Sequence, residues 1–534
     1  KVTGPTWLSD NYEHNYSYLF SSLRLLDGAP LVYLDHPGVT TAIFGAAVLG
    51  AEGGAREIIT ERVLNDPDRA IKVMQRAQLI LTVLALWIGP WLTSVYAGRW
   101  AIGLLLQLPC LFFATTLRYT AEFSSDATVI PVSIIGFCFV VLLLYQRRKG
   151  AQPLWSIAGA GLVAGLGMAT KLDFFPVVIL LLAFCLGFKN RVVFAGAMVL
   201  TLAVVLIPAY PNLGHLASWN IAVLTHTGTY GTGASGFIQS DILWAGVRRM
   251  LTEEPSIGWV PLLATIATLG LVLAGRIQGV VSVHKGIAQT ALVLFGLQMV
   301  GFLMVAKHAG PHYLIPLYHS LGLNLIIWYE AAIANRNAAP AFLCGMASLC
   351  LMVGWALKDC AYTTSRLYQI FNIARKELVA FYHRTETLTR GELRLDYSRA
   401  SSPEFAVWSG DEENDRYFGP RLQKRFPNAL CCVLEGDDGD SNPNLKFSTY
   451  TQDLDPAVVL QGRDRLYLFG NHSDGRGIPG VALKIPGLDG KDINKVGQSG
   501  LYCFPNYLEE WVRPSDERHT AFAGHTVRFT IVNH

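Results

Sequence analysis

Apolar residues in this chain fall in long runs, and the polar residues between them gather in short clusters. Runs near 77–97, 101–117, 128–145, 154–170, 172–188, 191–209, 256–275, 287–306, 313–330 and 338–356 stand out. Each is close to the roughly 17–25 residues that a helix needs to cross the hydrocarbon of a bilayer. The pattern predicts about ten spanning helices. The two runs flanking Lys171 are short, and they also read as one broken element. The stretch 39–50 is apolar but too short to span, and it leads into a charged amphipathic stretch at 57–72. Residues 1–76 therefore read as a loop with helices lying at the membrane interface. Past Lys358 the runs shorten. A helical pattern at 411–425 and strand-like runs at 465–469 and 526–532 are those of a water-soluble α+β domain.

The expected architecture is a polytopic α-helical membrane protein in three parts: a first loop at 1–76, a transmembrane helical domain at 77–357 with an outer loop at 210–255, and a soluble α+β domain at 358–534. Composition agrees with this division. Of 534 residues, 51% are hydrophobic and 16% charged, against about 25% charged in soluble domains. A net charge of +3, with no basic run interleaved with aromatics, argues against nucleic acid as a partner. Lys1 opens directly into a polar, aromatic segment with no signal peptide, so a further helix is expected ahead of it. Among nine cysteines, Cys110, Cys138, Cys185, Cys344 and Cys350 lie in apolar runs and act there as small hydrophobes. No spacing suggests zinc. In the tail, free thiols and a disulfide from Cys503 to Cys431 or Cys432 are both compatible with the sequence.

If every run crosses once, Arg99, Arg147, Arg148, Lys149, Lys189, Arg191, Arg276, Lys285 and Arg336 share one side. The positive-inside rule makes that side cytoplasmic. The first loop, 118–127, 171–173, 210–255, 307–312 and the tail then face out of an inner (plasma) membrane. All the notable polar clusters fall on that outer side. Ser9-Asp10-Asn11-Tyr12-Glu13-His14 sets two carboxylates beside aromatics, where one could take a proton from an acceptor hydroxyl; an ordinary solvated loop has the same composition. Glu122 and Asp126, four apart, share a helix face and could hold a divalent metal such as Mg or Mn, position a base, or simply solvate a helix end. Arg118, Lys171, Lys307 and His312 are cations at headgroup depth, suited to a phosphate on an isoprenoid tail or to snorkelling at the interface. The stretch 225–233 is polar, glycine-rich and holds His226 and Tyr230.

The order of these pieces resembles the GT-C superfamily of membrane glycosyltransferases. The features are the acidic aromatic first loop, the Leu26-Asp27-Gly28 and His36-Pro37 turns, Ser124-Ser125-Asp126, Met168-Ala169-Thr170-Lys171 and His312-Tyr313-Leu314-Ile315-Pro316. The nearest families are the protein O-mannosyltransferases and the lipid A aminoarabinose and galacturonose transferases. The likeness covers roughly residues 7–330 and not the tail. It implies inverting transfer of a sugar from a polyprenyl-phosphate donor to a hydroxyl on a lipid, glycan or protein acceptor, at the extracytoplasmic face. Asp10 takes the place of the catalytic acid; the family usually has Asp-Glu where this chain has Asp10-Asn11, with Glu13 two further on, so both acids stand as candidates. Lys171 and His312, with Arg118 and Lys307, would line the donor phosphate. Asp126 matches the second-loop acid, and His226 and Tyr230 the loop that covers donor and acceptor. The alternative is a transporter or flippase for a lipid-linked or anionic substrate. It would carry internal repeats and charges near the bilayer midplane, whereas this chain has no evident repeat and its acids gather at one surface.

Overall fold

The computed structural model describes residues 12–34, 37–226, 240–253, 285–306, 310–334, 393–397, 403–427, 429–435, 444–454, 465–469 and 529–530, with a few shorter pieces. In chain order the helices are α1 (Tyr12–Leu26), α2 (Val39–Ala51), α3 (Arg56–Asn65), α4 (Pro67–Ala97), α5 (Trp100–Phe112) and α6 (Ala114–Tyr119). These are followed by α7 (Ser125–Arg148), α8 (Leu154–Thr170), α9 (Phe175–Phe184), α10 (Gly187–Val205), α11 (Leu213–Thr225) and α12 (Ser240–Glu253). The last four are α13 (Lys285–Ala306), α14 (Ser320–Ala334), α15 (Pro403–Glu412) and α16 (Gly419–Arg425). The expected run at 338–356 lies almost wholly outside the described residues, and that at 256–275 is described as helix over 262–270.

Two compact units emerge. One gathers Leu25–Gly53 and Val73–Ser365, and the other Lys1–Arg24, Gly54–Lys72 and Arg366–His534. Parts of the first loop thus belong with the C-terminal domain.

In the helical unit, α4, α7 and α10 are long and apolar enough, by length and composition, to cross a membrane, and five shorter apolar helices accompany them. These helices are consistent with a helical membrane protein. α7 is the buried centre, packed by α8, α9 and the segment 315–318. α4 instead exposes Ile80, Val83, Trp87, Trp91 and Val95 along one face. That spacing of three to four residues is an apolar stripe suited to lipid. α8 and α10 approach through small residues: a methyl on Gly165 would lie 2.6 Å from the Met198 carbonyl oxygen, and one on Gly161 would collide with the Phe194 carbonyl. Without a hydrophobic force between helices in lipid, such close backbone packing is what holds them together.

The other unit contains a six-stranded sheet in the order β4-β3-β2-β1-β5-β6, with β1 Leu393–Tyr397, β2 Cys431–Glu435, β3 Asn444–Ser448, β4 Asp453–Leu454, β5 Arg465–Phe469 and β6 Phe529–Thr530. β1 runs parallel to both β2 and β5 and the remaining pairs are antiparallel. A parallel pair needs a crossover, and α15 and α16 supply it between β1 and β2. The helical pattern at 411–425 resolves into the end of α15, a turn with Asp415 and Arg416 at positive φ, and α16. α1 packs on this turn. Gly410 is needed there, because a methyl would lie 2.7 Å from Tyr16 Cβ. The buried Asn414 amide donates to the Ser17 carbonyl at 3.0 Å and accepts from the Ser21 hydroxyl at 3.0 Å, while Arg24 donates to the Asn414 carbonyl at 2.6 Å. Cys431 is buried in β2 opposite Ser448; Cys503, its possible disulfide partner, lies outside the described residues.

Candidate functional site

The candidate site stands at one end of α7 in the helical unit, and three interruptions of helix build it. Ser124 is extended and its hydroxyl accepts the Ala127 amide at 3.2 Å, a cap that starts α7 with Asp126 in its first turn. A carboxylate there is favoured by the exposed amides of the helix start. α8 stops at Thr170, Lys171 takes an extended conformation, and a 3-10 turn at Leu172–Phe174 leads into α9. Pro176 fits the first turn of α9, where its missing N–H has no cost. Phe174 folds back over Gly167, whose lack of a side chain makes room for the ring. The third interruption is the turn Pro311–Leu314 ahead of Ile315–Tyr318, which sets His312 and Tyr313 side by side.

These pieces converge. Lys171, with only 4% of its side chain exposed, bonds through its ammonium to the carboxylate of Asp126. Asp173 is 3.7 Å from the same nitrogen, and the Tyr313 ring centroid is 4.3 Å from it. The aromatic contacts continue outward. Tyr313 and His312 have ring centroids 4.0 Å apart, His312 and Tyr119 5.3 Å, and the Arg118 guanidinium lies 5.6 Å from the Tyr119 ring. Arg118 also stands 3.7 Å from Glu122 and is one-third exposed. The result is a continuous row of rings from the partly exposed Arg118 to the buried Lys171. Beside it, the Gly38 amide, at the start of α2, donates to the Thr170 carbonyl at 3.0 Å, and the Thr40 and Thr170 hydroxyls are 2.7 Å apart. A helix start presents backbone amides that favour an anion.

At the opposite end of α7, Glu330 accepts from Arg99 at 2.5 Å, Arg148 at 2.9 Å and Tyr145 at 2.5 Å. With 24 residues in α7, the two polar ends are about 36 Å apart at 1.5 Å per residue. Two of the basic residues expected to share a side do meet, on Glu330.

Of the residues singled out in the sequence, Lys171 and Asp126 meet directly, Arg118 and Glu122 form a neighbouring pair, and His312 joins them through the aromatic row. His226 ends α11 and makes its contacts elsewhere: its ring nitrogen is 2.9 Å from the Thr225 hydroxyl, and its backbone bridges Ser235. Asp10, Tyr230 and Lys307 lie outside the described residues, as does the side chain of Glu13 in α1. Among the described residues no group of three or more His, Cys, Asp or Glu converges to hold a metal ion. Asp126 and Glu122, the acids expected to bind Mg or Mn, pair here with Lys171 and Arg118. Sequence reasoning assigned no role to Tyr119, Tyr313 or Asp173. The available signal was an aromatic residue next to each of Arg118 and His312, at the mouths of two apolar runs.

A mostly helical fold with three candidate membrane-spanning helices is consistent with a helical membrane protein. No protein-family model, curated protein or solved structure matches the chain.

Proposed function

We propose that this protein is a membrane glycosyltransferase that moves a sugar, with inversion, from a polyprenyl-phosphate donor to a hydroxyl acceptor on the extracytoplasmic face of the inner (plasma) membrane. The observation that carries the reading is the row of aromatic rings Tyr119, His312 and Tyr313, with the Arg118 guanidinium at one end and the Lys171 ammonium at the other. A lipid-linked sugar phosphate needs cations for its phosphate, flat apolar surface for the sugar and first isoprene units, and a position from which its tail stays in the bilayer. The row offers the first two in one place, at the end of a bundle whose outer helices present apolar faces.

In the proposed reaction the acceptor oxygen attacks the anomeric carbon as the bond from that carbon to the phosphate oxygen breaks. The polyprenyl phosphate leaves with the electron pair, and the hydroxyl proton passes to a carboxylate. Asp10 is the proposed base, with Glu13 second. Arg118 and His312, with Lys307 nearby in sequence, are assigned to the leaving phosphate; Lys171 would join them from the inner end of the row on loosening its bond to Asp126. Each charge-assisted contact contributes about 1.5–3 kcal/mol. His226 and Tyr230 belong to the loop that would close over donor and acceptor. A divalent metal near Asp126 is the alternative for stabilising the leaving phosphate. A lipid, glycan or protein acceptor fits equally.

The test is transfer by the purified protein, reconstituted in liposomes, from radiolabelled polyprenyl-phosphate sugars into a membrane extract. Asp10→Asn should abolish transfer while donor binding survives, and Glu13→Gln should do less. Near-normal turnover in Asp10→Asn would sink the assignment of the base. Wild-type protein that transfers from no donor, yet moves one across the bilayer, would turn the reading to a flippase.

A further inference from the structure

The far end of α7 from the candidate site is joined into one surface by side-chain bonds. Glu330 in α14 ties Arg99, just ahead of α5, to Tyr145 and Arg148 in the last turn of α7. The Lys149 ammonium lies 4.7 Å from the centroid of the Tyr96 ring, in the last turn of α4. Gln152 fixes the α7–α8 loop to the α9–α10 turn. Its amide nitrogen donates to the Leu143 carbonyl at 3.2 Å and the Phe184 carbonyl at 2.8 Å, and its oxygen accepts the Leu186 amide at 2.7 Å. The stretches 97–102, 145–156, 184–192 and 328–334 gathered here contain six cations, Arg99, Arg147, Arg148, Lys149, Lys189 and Arg191, against one acid, Glu330. Arg99 and Arg148 share that acid. Lys149, Lys189 and Arg191 are exposed, and among the described residues none of the three forms an ion pair. Three helix starts at this end also turn a large ring outward: Trp100 of α5 is 75% exposed, Trp155 of α8 61% and Phe188 of α10 83%.

We propose that this end of the bundle is a binding surface for anionic phospholipid headgroups, with Lys149, Lys189 and Arg191 as the contacting cations and Trp100, Trp155 and Phe188 seated at the boundary between headgroups and acyl chains. Exposed rings beside lysine and arginine suit that boundary, where one part of the surroundings is apolar and the other wet. An anionic headgroup supplies the negative charge that a single carboxylate cannot give six cations. A zwitterionic headgroup carries its own cation and offers little net attraction. Gln152 is the positioning residue: by holding the two turns together it brings Lys149 to the same end as Lys189 and Arg191, so that one leaflet meets all three. The surface stands about 36 Å along α7 from Asp126, so it does not depend on whether the chain transfers a sugar.

Native mass spectrometry on the full chain in an uncharged detergent tests this with two lipids, dioleoyl phosphatidylglycerol and dioleoyl phosphatidylcholine, and with soluble polyglutamate as a third probe. Wild type should hold phosphatidylglycerol at least about tenfold more tightly than phosphatidylcholine. Lys149→Gln, Lys189→Gln and Arg191→Gln should each weaken phosphatidylglycerol by about fivefold, and the triple variant should lose the preference. Phosphatidylcholine should stay within about twofold throughout. Lys424→Gln, which removes a cation from the other unit, should change neither lipid. A second arm needs no variant: raising the salt from about 0.1 M to about 1 M shortens the screening length from about 10 Å to about 3 Å and should erase the wild-type preference. Equal binding of the two lipids by wild type, a preference that survives the triple variant or high salt, or polyglutamate bound as tightly as phosphatidylglycerol would each overturn the inference.

Discussion

Replacing Lys171 with methionine removes the cation that Asp126 and Asp173 share, and nearly preserves side-chain length. The consequences for the two carboxylates differ from those of removing either acid. With Lys171 gone, two buried carboxylates face one another with no ammonium between them. Removing one partner of a buried ion pair costs about 3–5 kcal/mol, and the like charges add to this until one of them takes up a proton. Asp126→Asn is milder. Lys171 keeps Asp173 at 3.7 Å, and an amide oxygen stays where the carboxylate was. The loss is then about that of a charge-assisted bond, roughly 1.5–3 kcal/mol. The double variant removes one positive and one negative charge and leaves a single carboxylate, so it should recover some of what Lys171→Met loses, a coupling of about 1–3 kcal/mol. Unfolding of the detergent-solubilised protein across a denaturant series gives the three differences. Lys171→Met no less stable than Asp126→Asn, or a double variant weaker than Lys171→Met, would refute a shared ammonium.

Two further outcomes follow from packing and from charge. Gly165→Ala puts a methyl 2.6 Å from the Met198 carbonyl and should destabilise the α8–α10 contact by about 1–3 kcal/mol. Gly196→Ala on α10, with no atom within 4 Å, should be neutral or stabilising in the same unfolding assay. In the other unit, burial pushes the Asp411 carboxyl from its ordinary 3.8 up to about 7, with its Oδ1 accepting the Phe418 amide at 3.0 Å and its Oδ2 accepting no hydrogen bond. The folded state then holds a proton that the unfolded chain has lost, so stability should fall as pH rises from about 4 to about 7 and level off above. The full effect is roughly 4 kcal/mol. Asp411→Asn should flatten that slope, read as hydrogen-exchange protection across 403–418 after correction for intrinsic rates; an unchanged slope would mean Asp411 is not its source.

Much of the helical unit was legible because apolar runs of fixed length leave lipid-facing helices few alternatives. The long helices α4, α7 and α10 fall on the runs at 77–97, 128–145 and 191–209, and the break at Lys171 lies between two runs too short to be read singly. Asp126, Lys171, Arg118 and His312 could be picked out as polar residues at the ends of apolar runs, since such residues are costly in a membrane and seldom idle. What the sequence by itself could not determine was pairing. The attachment of Lys171 to Asp126 spans 45 positions, and that of α1 to the turn at Asn414 nearly 400. Both depend on backbone shape: an extended Lys171 between two helices, and a glycine at 410 where Tyr16 leaves no room for a side chain. Nor does local pattern encode which buried carboxylate the ammonium meets. Asp126 and Asp173 each sit beside a Ser, Lys or Phe-rich stretch of similar polarity; only the folded geometry sets the Lys171 ammonium against Asp126 and leaves Asp173 3.7 Å from it.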